Sequence, residues 1–330
     1  MKHSRCGFLT LIFILFGPCL VAQTFELPRF QKIASVEVGD VRWTRDYDRA
    51  LQLSEQSGKP LFLLFQEVPG CVGCRNFGNT VLRNSLLVEA IESEFVPVLL
   101  FNNRRGGIDE KLLKQFDEPS WNYQVIRFIN SSEEDIIPRR DEIWTISGVA
   151  SRMIETLAKI ERTVPLYLQA LALENDHKRI GLAAFSMACF WTGEYQLGKI
   201  EGVVSTEAGW YDNQEVTLVR YHKDRLQLKG LINRAREVRC ARKIYLQPQE
   251  RKGVLKKKTA PLDLNEYRTA RSSDQKKQIG RWLANHQSAN LTAMQRTKVN
   301  SFFPDSRDQA MEWLSPRQLA TIAGGERNGD

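Results

Sequence analysis

Two cysteines stand three residues apart at Cys71 and Cys74, and no other pair in the chain is so closely spaced. The run Leu61 to Phe65 before them is apolar with strand composition. Beyond them Phe77, Val81, Leu82, Leu86, Val88 and Ile91 recur at helical spacing. A cysteine at a helix start faces unpaired backbone N–H groups and the positive end of the helix dipole. Both favour a thiolate, so Cys71 is the attacking nucleophile. Cys74 then closes the disulfide and releases the product. The spacing is too short for ordinary stapling, which leaves a redox pair, a structural bridge or a metal half-site. No second Cys-x-x-Cys and no close His pair completes a zinc site. His177, His222 and His286 lack metal-like spacing. Glu67, four residues before Cys71, can take a proton from it or serve as a solvated or bonded carboxylate. Trp121 can line a redox groove or fill a core.

Cys189 is the second centre. Ile180 to Met187 has strand character, and Ala188-Cys-Phe-Trp-Thr-Gly-Glu194 leads into an amphipathic helix with Tyr195, Leu197 and Ile200 on its apolar side. Gly202 to Trp210 reads as a strand and turn, Glu215 to Tyr221 as a strand, and Leu226 to Arg236 as a helix. Cys189 therefore also falls where a thiolate gains from a helix start. The alternative is a buried thiol packed as a small hydrophobe.

The elements that must position these residues follow from the rest of the 330-residue chain, whose length suggests two domains. Lys2, His3 and Arg5, the apolar stretch Phe8 to Phe16 and Leu20-Val-Ala22 form an export signal expected to be cleaved after Ala22, with a retained anchor as the alternative. Cys6 and Cys19 would leave with it, and four cysteines remain. The net charge of +8 is concentrated after residue 219, in Arg234, Arg236, Arg239, Arg242, Lys243 and Lys256 to Lys258. These read as a solvated basic face or tail. They lack the interleaved aromatics of a single-strand binder, so no specific nucleic-acid partner is expected. Trp43 to Gln56 has helical spacing, Phe95 to Phe101 suits a buried parallel strand, Ile108 to Phe116 is helical, Gln124 to Ile129 is a strand, and Ile143 to Leu157 closes with a helix. Val164 to Leu173 forms a linking helix. Residues 246 to 290 are polar, basic and expected to be partly disordered. Helices follow near Thr292 to Asn300 and Ser315 to Ile322.

Two resemblances attach to these segments. Val68-Pro-Gly-Cys71 after Leu61-Phe-Leu-Leu-Phe-Gln-Glu67, with the stretches Val88 to Asn103 and Glu118 to Asn130, resembles the thioredoxin-like protein family named for its Val-Pro-Gly-(selenocysteine or Cys)-x-x-Thr motif. Cys71 matches the position that can be selenocysteine in relatives, which implies that it is the primary nucleophile. Cys74 stands where the family has Thr. The proline that is cis before the third strand of thioredoxins has only Pro119 as a counterpart. Residues 180 to 245 resemble the peptide methionine sulfoxide reductase A family, through Cys189-Phe190-Trp191, Glu194 at plus five, Gly202-Val-Val-Ser-Thr206 with Gly209 and Trp210, and Glu215 with Tyr221. That resemblance implies Cys189 as nucleophile and Glu215 as the acid, with Phe190, Trp191, Glu194 and Trp210 binding substrate and Cys240 as the resolving thiol. The family's Gly-Gly-x-Tyr loop and the His before the acidic residue are missing.

The expected fold class is α/β: a thioredoxin-like domain plus a smaller α/β sandwich resembling peptide methionine sulfoxide reductase A. Residues 1–22 are the signal, 40–160 the first domain, 161–179 a helical linker, 180–245 the second domain, and 246–330 a basic, partly helical extension. The expected function is an exported, periplasmic or secreted thiol oxidoreductase that reduces peptide methionine sulfoxide or protein disulfides. Its partners would be proteins or peptides with oxidised Met or Cys and an external thiol electron donor, with no cofactor and no metal. The alternative is a thiol–disulfide protein whose second domain is a noncatalytic peptide-binding module.

Overall fold

A computed structural model describes residues 27–119, 124–251 and 259–327. The export signal and Trp121 lie outside the described residues. In the first half the chain runs β1 (Gln31–Lys32), β2 (Arg42–Trp43), α1 (Tyr47–Ser57), β3 (Leu61–Gln66), α2 (Val72–Thr80), α3 (Ser85–Glu94), β4 (Val96–Phe101), α4 (Gly107–Gln115), β5 (Val125–Ile129) and α5 (Ile146–Lys159). The central sheet has the order β4-β3-β5, with β3 parallel to β4 and antiparallel to β5. Thr44, just past β2, bridges Val98 in parallel and prolongs the sheet on the β4 side. Every residue of β3, β4 and β5 is buried. Their near-continuous apolar runs are what a strand covered on both faces requires. Phe62, Phe95 and Phe128 meet edge-to-face on one side of the sheet, and Phe65 meets Phe116 on the other.

Two boundaries differ from the sequence reading for local reasons. The helix expected from Phe77 through Ile91 is two helices, because Asn84 caps α3 by accepting the Leu87 N–H at 3.0 Å. The helix expected from Trp43 starts at Tyr47, where Asp46 accepts the Arg49 N–H. Trp43 lies in β2 and donates its indole N–H to the Val38 carbonyl at 3.0 Å.

Helix α6 (Leu166–Glu174) is the link between the halves, and it is apolar on all sides. Tyr167, Leu168, Leu171 and Ala172 join the core of the first half. Ala170 packs with Val204 and Met294 of the second. An all-round apolar helix is a buried helix, so the link is part of the packed interior.

The second half runs β6 (Ile180–Ser186), α7 (Phe190–Gly198), β7 (Val203–Tyr211), β8 (Gln214–His222), α8 (Leu228–Glu237), β9 (Lys243–Leu246), α9 (Pro248–Arg251), β10 (Thr259–Pro261), β11 (Arg268–Thr269), α10 (Gly280–Asn285), α11 (Ala293–Phe302), α12 (Arg307–Met311) and α13 (Pro316–Arg327). Its sheet has the order β10-β9-β6-β8-β7-β11 and is antiparallel except for the β10/β9 pair. Residues past 245 thus supply both edge strands. Helix α11 lies against α7 and β7, with the Thr297 hydroxyl accepting the Thr206 N–H at 3.2 Å. The segment expected to be partly disordered is folded over residues 259–290. Its anchors are the β10 and β11 pairings, the Gln275 bonds to the Ala208 backbone, and Lys276, whose ammonium reaches the buried Glu194 carboxylate and the Thr206 carbonyl. The two halves also touch through α13. There the Ser315 hydroxyl and the Arg317 N–H both donate to Glu89 on α3, at 2.6 and 2.7 Å.

Candidate active site

Cys71 is the N-cap of α2, with extended backbone, and is exposed; Cys74, one turn on, is buried. Their sulfurs are 3.6 Å apart. The position of α2 follows from Gly78, where a Cβ would fall 1.9 Å from the Val36 carbonyl oxygen. Only a glycine lets the helix lie this close to the short 3-10 turn Val36–Val38. The loop between β3 and α2 is tied at several points. Glu37 accepts the Gly70 N–H at 3.0 Å, and Asn103 accepts from Val68 N–H at 3.3 Å and donates to the Pro69 carbonyl at 3.1 Å. The Gln66 amide donates to the Glu37 carbonyl at 2.7 Å. The Val68–Pro69 bond in this loop is the one cis peptide among the described residues. Pro119 is therefore trans. The residue immediately before β5 is Gln124, in left-handed conformation at φ 60°.

The two thiols are electrostatically unequal. The N–H of Cys74, together with the Cys74 thiol and the Gly73 N–H, holds the Cys71 thiol below its usual range, against partial desolvation and the charge of Glu67. These N–H groups face the sulfur without closing a capping hydrogen bond. Burial, then the hydrogen bond and charge of Cys71, push the Cys74 thiol up to about 12. Glu67 is nearer Cys74 than the sequence reading supposed: the Cys74 sulfur lies 3.9 Å from its Oε2. The carboxylate thus faces the buried thiol.

Sequence reasoning missed Gln124, Glu37 and Asn103. The Gln124 side chain lies against Gly73 in the first turn of α2, and its amide nitrogen is buried without a hydrogen-bond partner. Its signal was weak, because a polar residue ahead of an apolar strand reads as an ordinary strand boundary. Glu37 and Asn103 lie about thirty residues from the cysteines in either direction, where spacing carries no information.

The second centre gathers part of its expected set. Cys189 is the N-cap of α7 and is half-buried. Trp210 and Glu215 are cross-strand partners in the β7/β8 hairpin. Glu215 accepts the Phe190 N–H at 2.9 Å, which places its carboxylate at the start of α7 beside Cys189. The Phe190 ring meets Trp210 edge-on at 5.5 Å, and Trp210 is 38% exposed. Gly193 allows this approach, since a Cβ there would fall 2.1 Å from the Thr217 hydroxyl.

The other expected residues turn elsewhere. Glu194, expected to bind substrate, is fully buried and engaged by the backbone N–H and ammonium of Lys276. Desolvation raises its pKa despite that partner. The Trp191 ring is covered by the Lys277 ammonium at 4.6 Å. Cys240, expected to be the resolving thiol, sits in the core against the strands, with its sulfur 3.4 Å from the Val238 carbonyl. Burial pushes its thiol up to about 11, the opposite of what a ready attacking thiol needs.

Residues 42–129 match the family model described as thioredoxin-like. Six chains of solved structures are similar to this one. Among them is one titled "DsbH Oxidoreductase", at 16% identity and a TM-score of 0.31, covering 40% of this chain and 93% of that chain. No curated protein matches the chain. Among the described residues, no helix is long and apolar enough to cross a membrane. The parallel β3/β4 pair, the antiparallel β5 and the Cys-x-x-Cys at the start of α2 lead to one statement: this is a mixed α/β chain that carries a thioredoxin-like domain.

Proposed function

We propose that Cys71 and Cys74 form a thiol–disulfide exchange centre that acts on oxidised polypeptides. The observation that carries this is the inequality of the pair: an exposed sulfur with a lowered pKa, 3.6 Å from a buried one held protonated. The Cys71 thiolate attacks one sulfur of a substrate disulfide, forming a mixed disulfide and expelling the other sulfur as a thiolate. Cys74 gives its proton to Glu67 and attacks the Cys71 sulfur. The second substrate sulfur leaves as a thiolate, and the carboxyl supplies its proton. The substrate gains two electrons and the enzyme keeps the Cys71–Cys74 disulfide. An external dithiol donor must reduce it for turnover. Val72, 63% exposed between the cysteines, gives an apolar contact for a polypeptide. Export through residues 1–22 is part of the proposal, since a periplasmic or secreted setting holds disulfide substrates. The test is reduction of a mixed-disulfide peptide under a dithiol donor. Cys71→Ser should abolish it, and Cys74→Ser should accumulate a Cys71–peptide adduct. Turnover by Cys71→Ser would remove the proposal.

A second reading, peptide methionine sulfoxide reduction at Cys189, is favoured by one specific contact, that of Glu215 with the start of α7. The Cys189 thiolate would attack the sulfoxide sulfur while Glu215 protonates the oxygen. The products are a thioether and a Cys189 sulfenic acid. Two external thiol equivalents would return the sulfenic acid to thiol, with release of water and a disulfide. Phe190 and Trp210 would hold the substrate methyl group. Turnover of a methionine sulfoxide peptide with dithiothreitol, lost in Cys189→Ser, supports this. Equal turnover in Cys189→Ser leaves the second domain as a binding module.

A further inference from the structure

We propose that Glu67, Cys71 and Cys74 form a binding site for a single thiophilic d10 cation, Zn2+ or Cu+. Among the described residues these three form the one cluster of His, Cys, Asp or Glu with ligand atoms close enough for one ion, all within 4.8 Å of one another. Their spacing is that of a coordination shell. Metal–thiolate bonds of about 2.3 Å at tetrahedral angles set two sulfurs about 3.8 Å apart; a carboxylate oxygen bonded at about 2.1 Å lies about 3.6 Å from each. The structure places the two sulfurs 3.6 Å apart and the Glu67 oxygen 3.9 Å from the Cys74 sulfur. These two edges need adjustments of a few tenths of an ångström, and the third, between Cys71 and Glu67, lies within 4.8 Å and closes by rotation of the Glu67 side chain.

The frame that holds the ligands is built in. Gly70 is anchored on Glu37, and Val68 and Pro69 on Asn103, so the loop between Glu67 and Cys71 is pinned at three successive residues. Thiolates select Zn2+ and Cu+ over hard cations, and a single carboxylate with two sulfurs offers Mg2+ or Ca2+ too few oxygens. Cys71 is exposed, so a fourth position opens to solvent, available to water or an incoming thiol. Binding displaces the Cys74 proton and whatever fraction of Cys71 is protonated, so one to two protons leave per ion. Electron count is unchanged, because the ion replaces protons. The same sulfurs would serve exchange, and so a bound ion silences it.

The experiment uses the full chain, reduced and stripped of metal. Zn2+ is titrated against a chromophoric chelator and, anaerobically, Cu+ against a bidentate copper(I) dye. One ion per chain, proton release and protection of Cys71 from iodoacetamide are expected from at least one ion. Glu67→Gln should weaken binding at least tenfold, and Cys74→Ser should reduce it to the level of a lone thiol. Unchanged affinity in Glu67→Gln overturns the three-ligand site. Unchanged affinity in Cys74→Ser puts the ion elsewhere and overturns it altogether. Should a variant fail to fold, the wild-type readouts decide: ions that bind without protecting Cys71 or releasing protons refute the site. Exchange is measured separately in excess chelator. Its loss there refutes the thiol–disulfide reading and leaves the metal site standing.

Discussion

Lys276→Met separates a structural role for Glu194 from a role in substrate binding. The Glu194 side chain has no exposure, and both of its oxygens accept from Lys276, one from the ammonium and one from the backbone N–H. Methionine keeps the length and the backbone bond but removes the charge. Breaking a buried pair from one side leaves an uncompensated charge, at a cost of about 3 to 5 kcal/mol. The Thr206 carbonyl also loses its ammonium donor, which adds about 1 kcal/mol. Burial already raises the Glu194 pKa with Lys276 in place; without it the rise grows. A carboxyl whose folded pKa exceeds its unfolded value binds its proton more tightly when folded. Acid therefore favours the folded variant, and its deficit is largest above the raised pKa and shrinks as pH falls through it. Urea unfolding of wild type and variant at pH 5 and pH 8 measures this. The expected loss at pH 8 is about 4 to 6 kcal/mol, smaller at pH 5, with most of it recovered in the double variant Glu194→Gln, Lys276→Met. A loss under about 1 kcal/mol, or one equal at both pH values, would refute the reasoning and return Glu194 to the list of available site residues.

Iodoacetamide at pH 7, after reduction and with chelator present, should label Cys71 ahead of Cys74 by about tenfold or more. Burial pushes the Cys74 thiol up to about 12 and also restricts access to its sulfur, while Cys71 is exposed with its thiol held low; comparable labelling of both would contradict the assigned inequality. Glu215→Gln should cut any sulfoxide turnover by about 100-fold or more while leaving Cys189 alkylation nearly unchanged, since the proton is needed only in the transition state; equal turnover removes Glu215 from the chemistry. Lys298, buried and bonded to the Gly198 and Ile200 carbonyls, is pushed down to about 7 by desolvation. The unfolded chain therefore binds the extra proton between about pH 7 and 10, so stability rises across that window. Lys298→Met should flatten the rise, as read by denaturant midpoints.

The first domain was legible because its signals are local. Leu61 to Phe65 and Phe95 to Phe101 are short apolar runs, and strands buried on both faces have to be written that way; Gln124 to Ile129 alternates instead, and its Arg127 is buried only because Glu118 and Asp135 accept from it. The Cys-x-x-Cys announced its own place at a helix start. What the sequence hid depends on pairings across long separations. Glu67 faces Cys74 only because the loop is tied to Glu37 and Asn103. Glu194 sits at the motif spacing of a site residue, yet its partner comes from 82 residues later. The polarity of residues 259–290 reads as disorder, but one of its lysines is the counter-ion of a buried acid, and local composition cannot distinguish the two cases. Cys240 lies past the end of α8, after Arg239 turns the chain in left-handed conformation, and enters the core there; its type alone gives no warning that the thiol is sealed.

The link between the centres bears on whether electrons pass from one to the other. A flexible tether of this length would give an effective concentration near the millimolar range and favour a relay. Helix α6 is no tether: its faces are divided between the two cores, and Glu174 at its end accepts the Ala293 N–H of α11 at 3.0 Å. The α13 contacts with Glu89 and Glu92 close a second bridge. With both bridges formed, the halves do not swing on a free tether, and movement of Cys71 toward Cys189 works against a packed interface; on that argument each centre is expected to meet partners from solution. Oxidation of Cys74→Ser protein should then yield Cys71 adducts with added thiols and no Cys71–Cys189 or Cys71–Cys240 peptide on mapping. Recovery of either peptide in good yield from native protein would show that the interface opens and that α6 carries a hinge.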